Sequence, residues 1–128
     1  MNTRQAAIDR IAPALVGLLF IVAGINKILG FDYVAQWMAG SGLPAASLLL
    51  VATIALEIGA GLLLVVGWKA RWAALALAAF LIPVTLVFHA FWNVDAAQFQ
   101  DQLTQFLKNT AIFGAMLMIA FPRVHHEK

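Results

Sequence analysis

Four side chains of this 128-residue chain carry chemistry in places where chemistry is expensive: Lys27, Glu57, His89 and Asn109. Glu57 sets the problem. It is the only charged residue between Leu48 and Val66. That run is long enough to cross a bilayer, since roughly 20 apolar residues rising about 1.5 Å each span the hydrocarbon as a helix. A carboxylate at the middle of such a helix costs about 2.5 kcal/mol or more, so it turns toward a partner or a wet cavity. Lys27 is its natural counter-ion. His89 brings an imidazole that takes and gives a proton near neutral pH, and Asn109 offers an amide donor and acceptor. Together these types fit proton exchange with, and hydrogen-bond anchoring of, an oxygen-bearing ligand.

The elements that must position them are membrane helices. Hydrophobic residues make up 63% of the chain and charged ones 11%, against about 25% charged in soluble domains. One domain of this length cannot hide so much apolar surface, so lipid is its solvent. Basic residues mark one side of a membrane here rather than a nucleic-acid surface. There is no cysteine, which removes disulfides and thiolate chemistry.

Four spans are expected, at about 11–29, 44–67, 71–92 and 104–121, making an all-α four-transmembrane-helix bundle. Pro13 suits the first turn of the first span, Ser41 and Gly42 break the chain ahead of the second, and Pro122 stops the fourth. Pro83 should bend the third locally, because its missing N–H frees a carbonyl one turn earlier. Arg4 and Arg10 ahead of an apolar run resemble a signal peptide, but no small-residue cleavage site with a polar sequel follows, so the first span is expected to be retained.

Lys and Arg set the orientation. Arg4, Arg10, Lys69, Arg71, Arg123 and Lys128 fall at the termini and the tight second loop, while 30–43 and 93–103 hold only Asp32, Asp95 and Asp101 as charges. The positive-inside rule therefore predicts a cytoplasmic N-terminus and C-terminus. Residues 31–38 interleave aromatic and polar side chains, as a short interfacial helix in the first outer loop would. Trp37, Trp68 and Trp72 read as an aromatic belt.

Counting depth from the cytoplasmic edge puts Lys27 roughly 25 Å above Arg10, Glu57 roughly 18 Å above Lys69, His89 roughly 27 Å above Arg71 and Asn109 roughly 21 Å above Arg123. Each span thus delivers one polar group to the outer half of the membrane. Helical spacing places Gly17, Phe20, Gly24 and Lys27 on one stripe, Glu57 with Gly61, Thr85 with His89 and Trp92, and Phe106 with Asn109 and Phe113. The glycines allow helices to approach closely. Lys108 lies about 100° round the helix from Asn109 and snorkels. Glu57 and His89 alone make an incomplete metal set, and one core histidine is too few for a haem between paired helices. No metal is expected, and His125 and His126 belong to a solvated tail.

The pattern Gly17-x-x-Phe20-x-x-x-Gly24-x-x-Lys27, Glu57 followed by Gly61 and Gly67, His89-x-Phe91-Trp92, and Phe106-x-Lys108-Asn109 ahead of Gly114 resembles the DoxX family of small bacterial membrane proteins over roughly residues 14–120. The resemblance implies a multi-pass inner-membrane protein. It also implies redox partners: relatives include the small subunit of an archaeal thiosulfate:quinone oxidoreductase and a member of a membrane complex against oxidative stress. By position, Lys27, Glu57, His89 and Asn109 match the family's polar residues. Similar bundles pass electrons from thiols to quinones, but the cysteines for that are missing here.

Three functions remain open. The first is a redox-associated subunit binding a quinone-like amphiphile, with Glu57 and His89 exchanging protons. In it Lys27 and Asn109 hold the ligand, and Phe91, Trp92 and Phe113 form the walls. The second is a non-enzymatic assembly or scaffold subunit of a membrane oxidoreductase or stress-response complex. The third is a small-solute or proton transporter, for which four spans are few unless the chain forms a homo-oligomer.

Overall fold

The computed structural model describes residues 2–123; His125, His126 and Lys128 lie outside them. All regular structure among these residues is helical: α1 (Thr3–Leu29), α2 (Phe31–Gly40), α3 (Ala46–Val66), α4 (Ala70–Phe88), a 3₁₀ turn at Phe91–Asn93, and α5 (Ala96–Ala120). Among the described residues, α1, α3, α4 with the turn that follows it, and α5 are long and apolar enough to cross a membrane. Many large apolar side chains are exposed along them, including Leu15, Leu18 and Val22 of α1 and Leu62 and Val65 of α3. Water would penalise that surface, and lipid does not. The chain divides into two compact units, Met1–Lys69 and Ala70–Lys128.

In the first unit α1 packs antiparallel on α3, and α2 packs on α3 through the buried Met38. Glycine decides how closely the long helices approach. A Cβ on Gly61 would lie 2.8 Å from the Gly17 carbonyl oxygen, and one on Gly17 would strike the Gly61 carbonyl in return. No side chain fits between the two backbones at that point. Higher up, a Cβ on Gly24 would meet Ile58 at 2.6 Å. Gly67 ends α3 in the left-handed conformation at φ 77°. The N–H groups of Gly67 and Trp68 both return to the Leu63 carbonyl, the usual glycine stop of a helix.

In the second unit α4 packs antiparallel on α5. Their facing residues include small ones on α4, with Ala73, Ala74, Leu77 and Ala78 buried, and Met116 and Ala120 on α5. Three boundaries differ from expectation. The first helix starts at Thr3 rather than near Ile11, which puts Pro13 inside it rather than in its first turn. The third span ends as an α-helix at Phe88 rather than Trp92, and Trp92 sits in the 3₁₀ turn that follows. The fourth starts at Ala96 rather than near Thr104, because Asp95 caps it, its side chain accepting from the Gln98 N–H at 3.1 Å. An N-cap oxygen satisfies one of the first-turn donors that would otherwise have no partner. Pro83 lies inside α4, and the helix continues past it.

Candidate functional site

The first unit joins two of the four polar residues. Lys27 Nζ donates to both Glu57 carboxylate oxygens, at 2.9 and 3.1 Å. By depth alone they stand about 7 Å apart, from the counts given above. The gap closes because every Cα–Cβ bond leans toward its own helix N-terminus. In antiparallel helices the Lys27 and Glu57 side chains therefore lean toward one another. Glu57 is almost fully buried, with 4% of its side chain exposed against 29% for Lys27. Lys27 also lies in the last turn of α1, where the helix dipole favours a cation. One ammonium thus occupies both carboxylate oxygens, and the pair clasps α1 to α3 with Glu57 one turn from Gly61.

The second unit gives the other two their partners, and both partners come from the facing helix. Asn109 Nδ2 donates to the buried Thr85 hydroxyl at 3.1 Å. His89 Nδ1 lies 2.9 Å from Gln102 Oε1. With that oxygen as acceptor, Nδ1 carries the proton and the neutral ring leaves Nε2 bare. The two pairs form successive rungs, since His89, just past the end of α4, follows Thr85 by one turn and its N–H still donates to the Thr85 carbonyl at 3.0 Å. A transmembrane hydrogen bond of this kind contributes about 0.6–2 kcal/mol to helix association.

Beside the Thr85–Asn109 rung lies a cleft of about 180 Å³. Leu81, Ile82 and Leu86 of α4 and Phe106 and Phe113 of α5 form its walls, and Thr110 stands at its rim. The Thr110 hydroxyl proton is spent on the Phe106 carbonyl at 2.8 Å, which leaves Thr85 and Asn109 as the lining side chains with donors to offer. An enclosed apolar cavity of about 150 Å³ holds one benzene ring, so the space in this open cleft is on the scale of one six-membered ring. The arrangement is an apolar slot with one hydrogen-bonding end.

Phe91 and Trp92 do not line the cleft. They pack on the outer side of its Phe106 wall, where Phe91 meets Phe106 edge-on with centroids 5.2 Å apart and Trp92 meets it at 5.9 Å. Phe91 also contacts Trp92 at 5.2 Å and Phe99 at 5.8 Å. These edge-to-face contacts fold the 3₁₀ turn onto α5 as an aromatic cap. Among the described residues no three His, Cys, Asp or Glu side chains gather as a metal-holding group.

Three members of the site were not singled out from sequence. Thr85 and Phe106 shared faces with His89 and Asn109 but had no role, and Gln102 fell in an expected loop. The signal for Gln102 was present: Asp95-x-x-Gln98 has the form of a helix start.

Four long apolar helices carrying internally paired polar groups define a multi-pass membrane protein. The DoxX family model matches residues 10–90, and the chain belongs to that family. It is similar to the inner membrane protein YphA of Escherichia coli strain K12, 31% identical over 86% of this chain and 79% of the relative. It is also similar to the inner membrane protein YqjF of the same organism, 36% identical over the same shares. Comparison with solved structures gives no match.

Proposed function

We propose that this chain is an inner-membrane, redox-associated subunit that holds the ring head group of a quinone-like amphiphile in the cleft beside Thr85 and Asn109. One observation carries the reading: an apolar cleft whose polar part is a part-buried hydroxyl–amide pair. The Thr85 oxygen accepts from Asn109, so its own O–H remains free to donate. Asn109 keeps a second N–H and its carbonyl oxygen. A ring carbonyl that meets these donors is bound by them, and more strongly as that oxygen gains negative charge. Phe106 and Phe113 flank the ring, and an apolar tail leaves through the open side into lipid.

Of the two proton-exchange candidates, His89 suits the role better than Glu57. Both Glu57 oxygens are occupied by Lys27, whereas His89 uses only Nδ1, with Gln102, and stands one turn from Thr85, just outside the residues that line the cleft. With no cysteine in the chain, electrons reach or leave the ligand through a partner oxidoreductase. The termini and the α3–α4 loop lie on the cytoplasmic side by their Lys and Arg content, and α2 lies in the opposite interface.

The test is extraction. Protein purified from native membranes in mild detergent should release a quinone-type lipid on solvent extraction, and the Asn109→Leu protein should release several-fold less. Equal amounts from both, or none from either, would remove the reading.

A second reading rests on the first unit. The Lys27–Glu57 clasp and the Gly17–Gly61 approach are what a rigid assembly subunit needs. Co-purification of a stable partner with no extractable lipid ligand would favour it.

A further inference from the structure

The end of the second unit at which α4 begins and α5 stops carries a cation whose hydrogen bonds find no protein partner. Arg71 stands in the first turn of α4. Its guanidinium carbon lies 5.7 Å from the centre of the Trp72 ring and 5.5 Å from that of Phe121, the residue that caps the end of α5. Rings within about 6 Å attract a guanidinium, but a ring face does not replace the oxygens that its N–H donors seek. Among the described residues no carboxylate pairs with Arg71 and no oxygen accepts from it. Arg123, two residues past Phe121, is exposed and likewise unpaired among them. The described acids of this unit, Asp95 and Asp101, lie toward the other end of α5, with Asp101 roughly 30 Å from Phe121 at about 1.5 Å per residue.

The rings mark where in the membrane these donors stand. Trp72 is 66% and Phe121 58% exposed, one at the start of an apolar span and the other just past the end of the next. An exposed tryptophan at a span end sits at the level of the lipid headgroups, and the guanidinium beside it shares that level.

We propose that Arg71, with Arg123 as a second cation, binds the phosphate of an anionic phospholipid at this end of the second unit. The planar guanidinium fork meets two phosphate oxygens at once. A zwitterionic headgroup brings its own ammonium toward two arginines with no acid near them, so a lipid of net negative charge is preferred. A soluble phosphate would gain the charge contact alone. A lipid adds contact between its acyl chains and the exposed faces of Trp72 and Phe121, and the site is therefore assigned to lipid.

Detergent-solubilised wild type is titrated, with native mass spectrometry as the readout, with phosphatidylglycerol and with phosphatidylcholine of the same acyl chains. Phosphatidylglycerol should bind at least about fivefold more tightly, the scale of one basic group acting on an anionic membrane surface. Arg71→Gln should remove most of that preference. Arg71→Lys, which keeps the charge and loses the fork, should retain only part of it. Arg10→Gln, which removes the same charge from α1, should leave it intact. Equal losses in Arg71→Gln and Arg10→Gln would make the preference one of net charge and overturn the site. If Arg71 only ties α4 to α5, Arg71→Gln lowers the unfolding midpoint alike in both lipids and keeps the preference, which also overturns it. So does a wild type that binds the two lipids equally. Displacement of phosphatidylglycerol by millimolar sodium phosphate would show a soluble-anion site and overturn the assignment to lipid.

Discussion

Asn109 on α5 donates a 3.1 Å hydrogen bond to the hydroxyl of Thr85 on α4, and the two stand at the same depth. Counted from Arg71 and from Arg123, each lies roughly 21 Å along its helix. The pair ties the antiparallel helices in one register, beside an apolar cleft that both residues line.

Thr85→Val keeps the shape and removes the hydroxyl. The Asn109 amide then loses its partner in a half-buried position, and the second unit should lose about 1–2 kcal/mol of stability. The check is the midpoint of unfolding in a titration of mild detergent against sodium dodecyl sulfate. Thr85→Ser, which restores the hydroxyl, should recover most of the loss.

The Lys27–Glu57 clasp makes a prediction with a sign. Lys27→Met strands a buried carboxylate and should destabilise by about 2–3 kcal/mol, below the range for fully buried pairs because Lys27 is partly exposed. Removing both charges in Lys27→Met with Glu57→Leu should be milder than Lys27→Met alone. The same unfolding titration ranks them; a double variant as weak as the sum of the singles would contradict a direct ion pair.

Glycine contacts are separable from glycine content. Gly17→Ala and Gly61→Ala push a methyl group into the facing backbone and should cost about 1–3 kcal/mol. Gly59 has open space where a Cβ would go, so Gly59→Ala should be neutral or stabilise slightly through helix propensity. Thermal aggregation midpoints of detergent-solubilised protein distinguish them.

The start of α5 rests on Asp95. Asp95→Ala should cost about 1 kcal/mol and speed amide hydrogen exchange over the first turn at 96–99. Exchange over the segment near Phe113 should not change.

These contacts show how far the sequence could be read. The four long helices were legible because lipid demands uninterrupted apolar runs, and the pairing of Lys27 with Glu57 because an isolated charge in such a run demands a partner. Of the residues behind the DoxX resemblance, those from Gly17 to His89 fall within the family match at residues 10–90, and Phe91, Trp92 and those on α5 lie beyond it. The first half of α5 was hidden, since Gln98, Gln100, Asp101 and Gln102 lower its hydropathy below a span signal and only the Asp95 cap marks its start. Gln102 as the partner of His89 was lost with it. The cap role of Phe91 and Trp92 was illegible for a different reason. Whether an aromatic ring lines a cleft or props up its wall depends on where the helix before it stops, and α4 stops one turn earlier than its apolar run does.

The central claim is that Thr85 and Asn109 bind the head group of an amphiphile in the cleft between α4 and α5. The most direct measurement is the affinity of decyl-1,4-benzoquinone for the wild type and for Asn109→Leu in nanodiscs, with stability of both proteins confirmed by their unfolding midpoints. Saturable binding by the wild type that weakens at least about tenfold in the folded variant, as when a buried ligand oxygen loses its donor, is the predicted result. Equal affinity for both proteins, or no saturable binding by the wild type, would contradict the account.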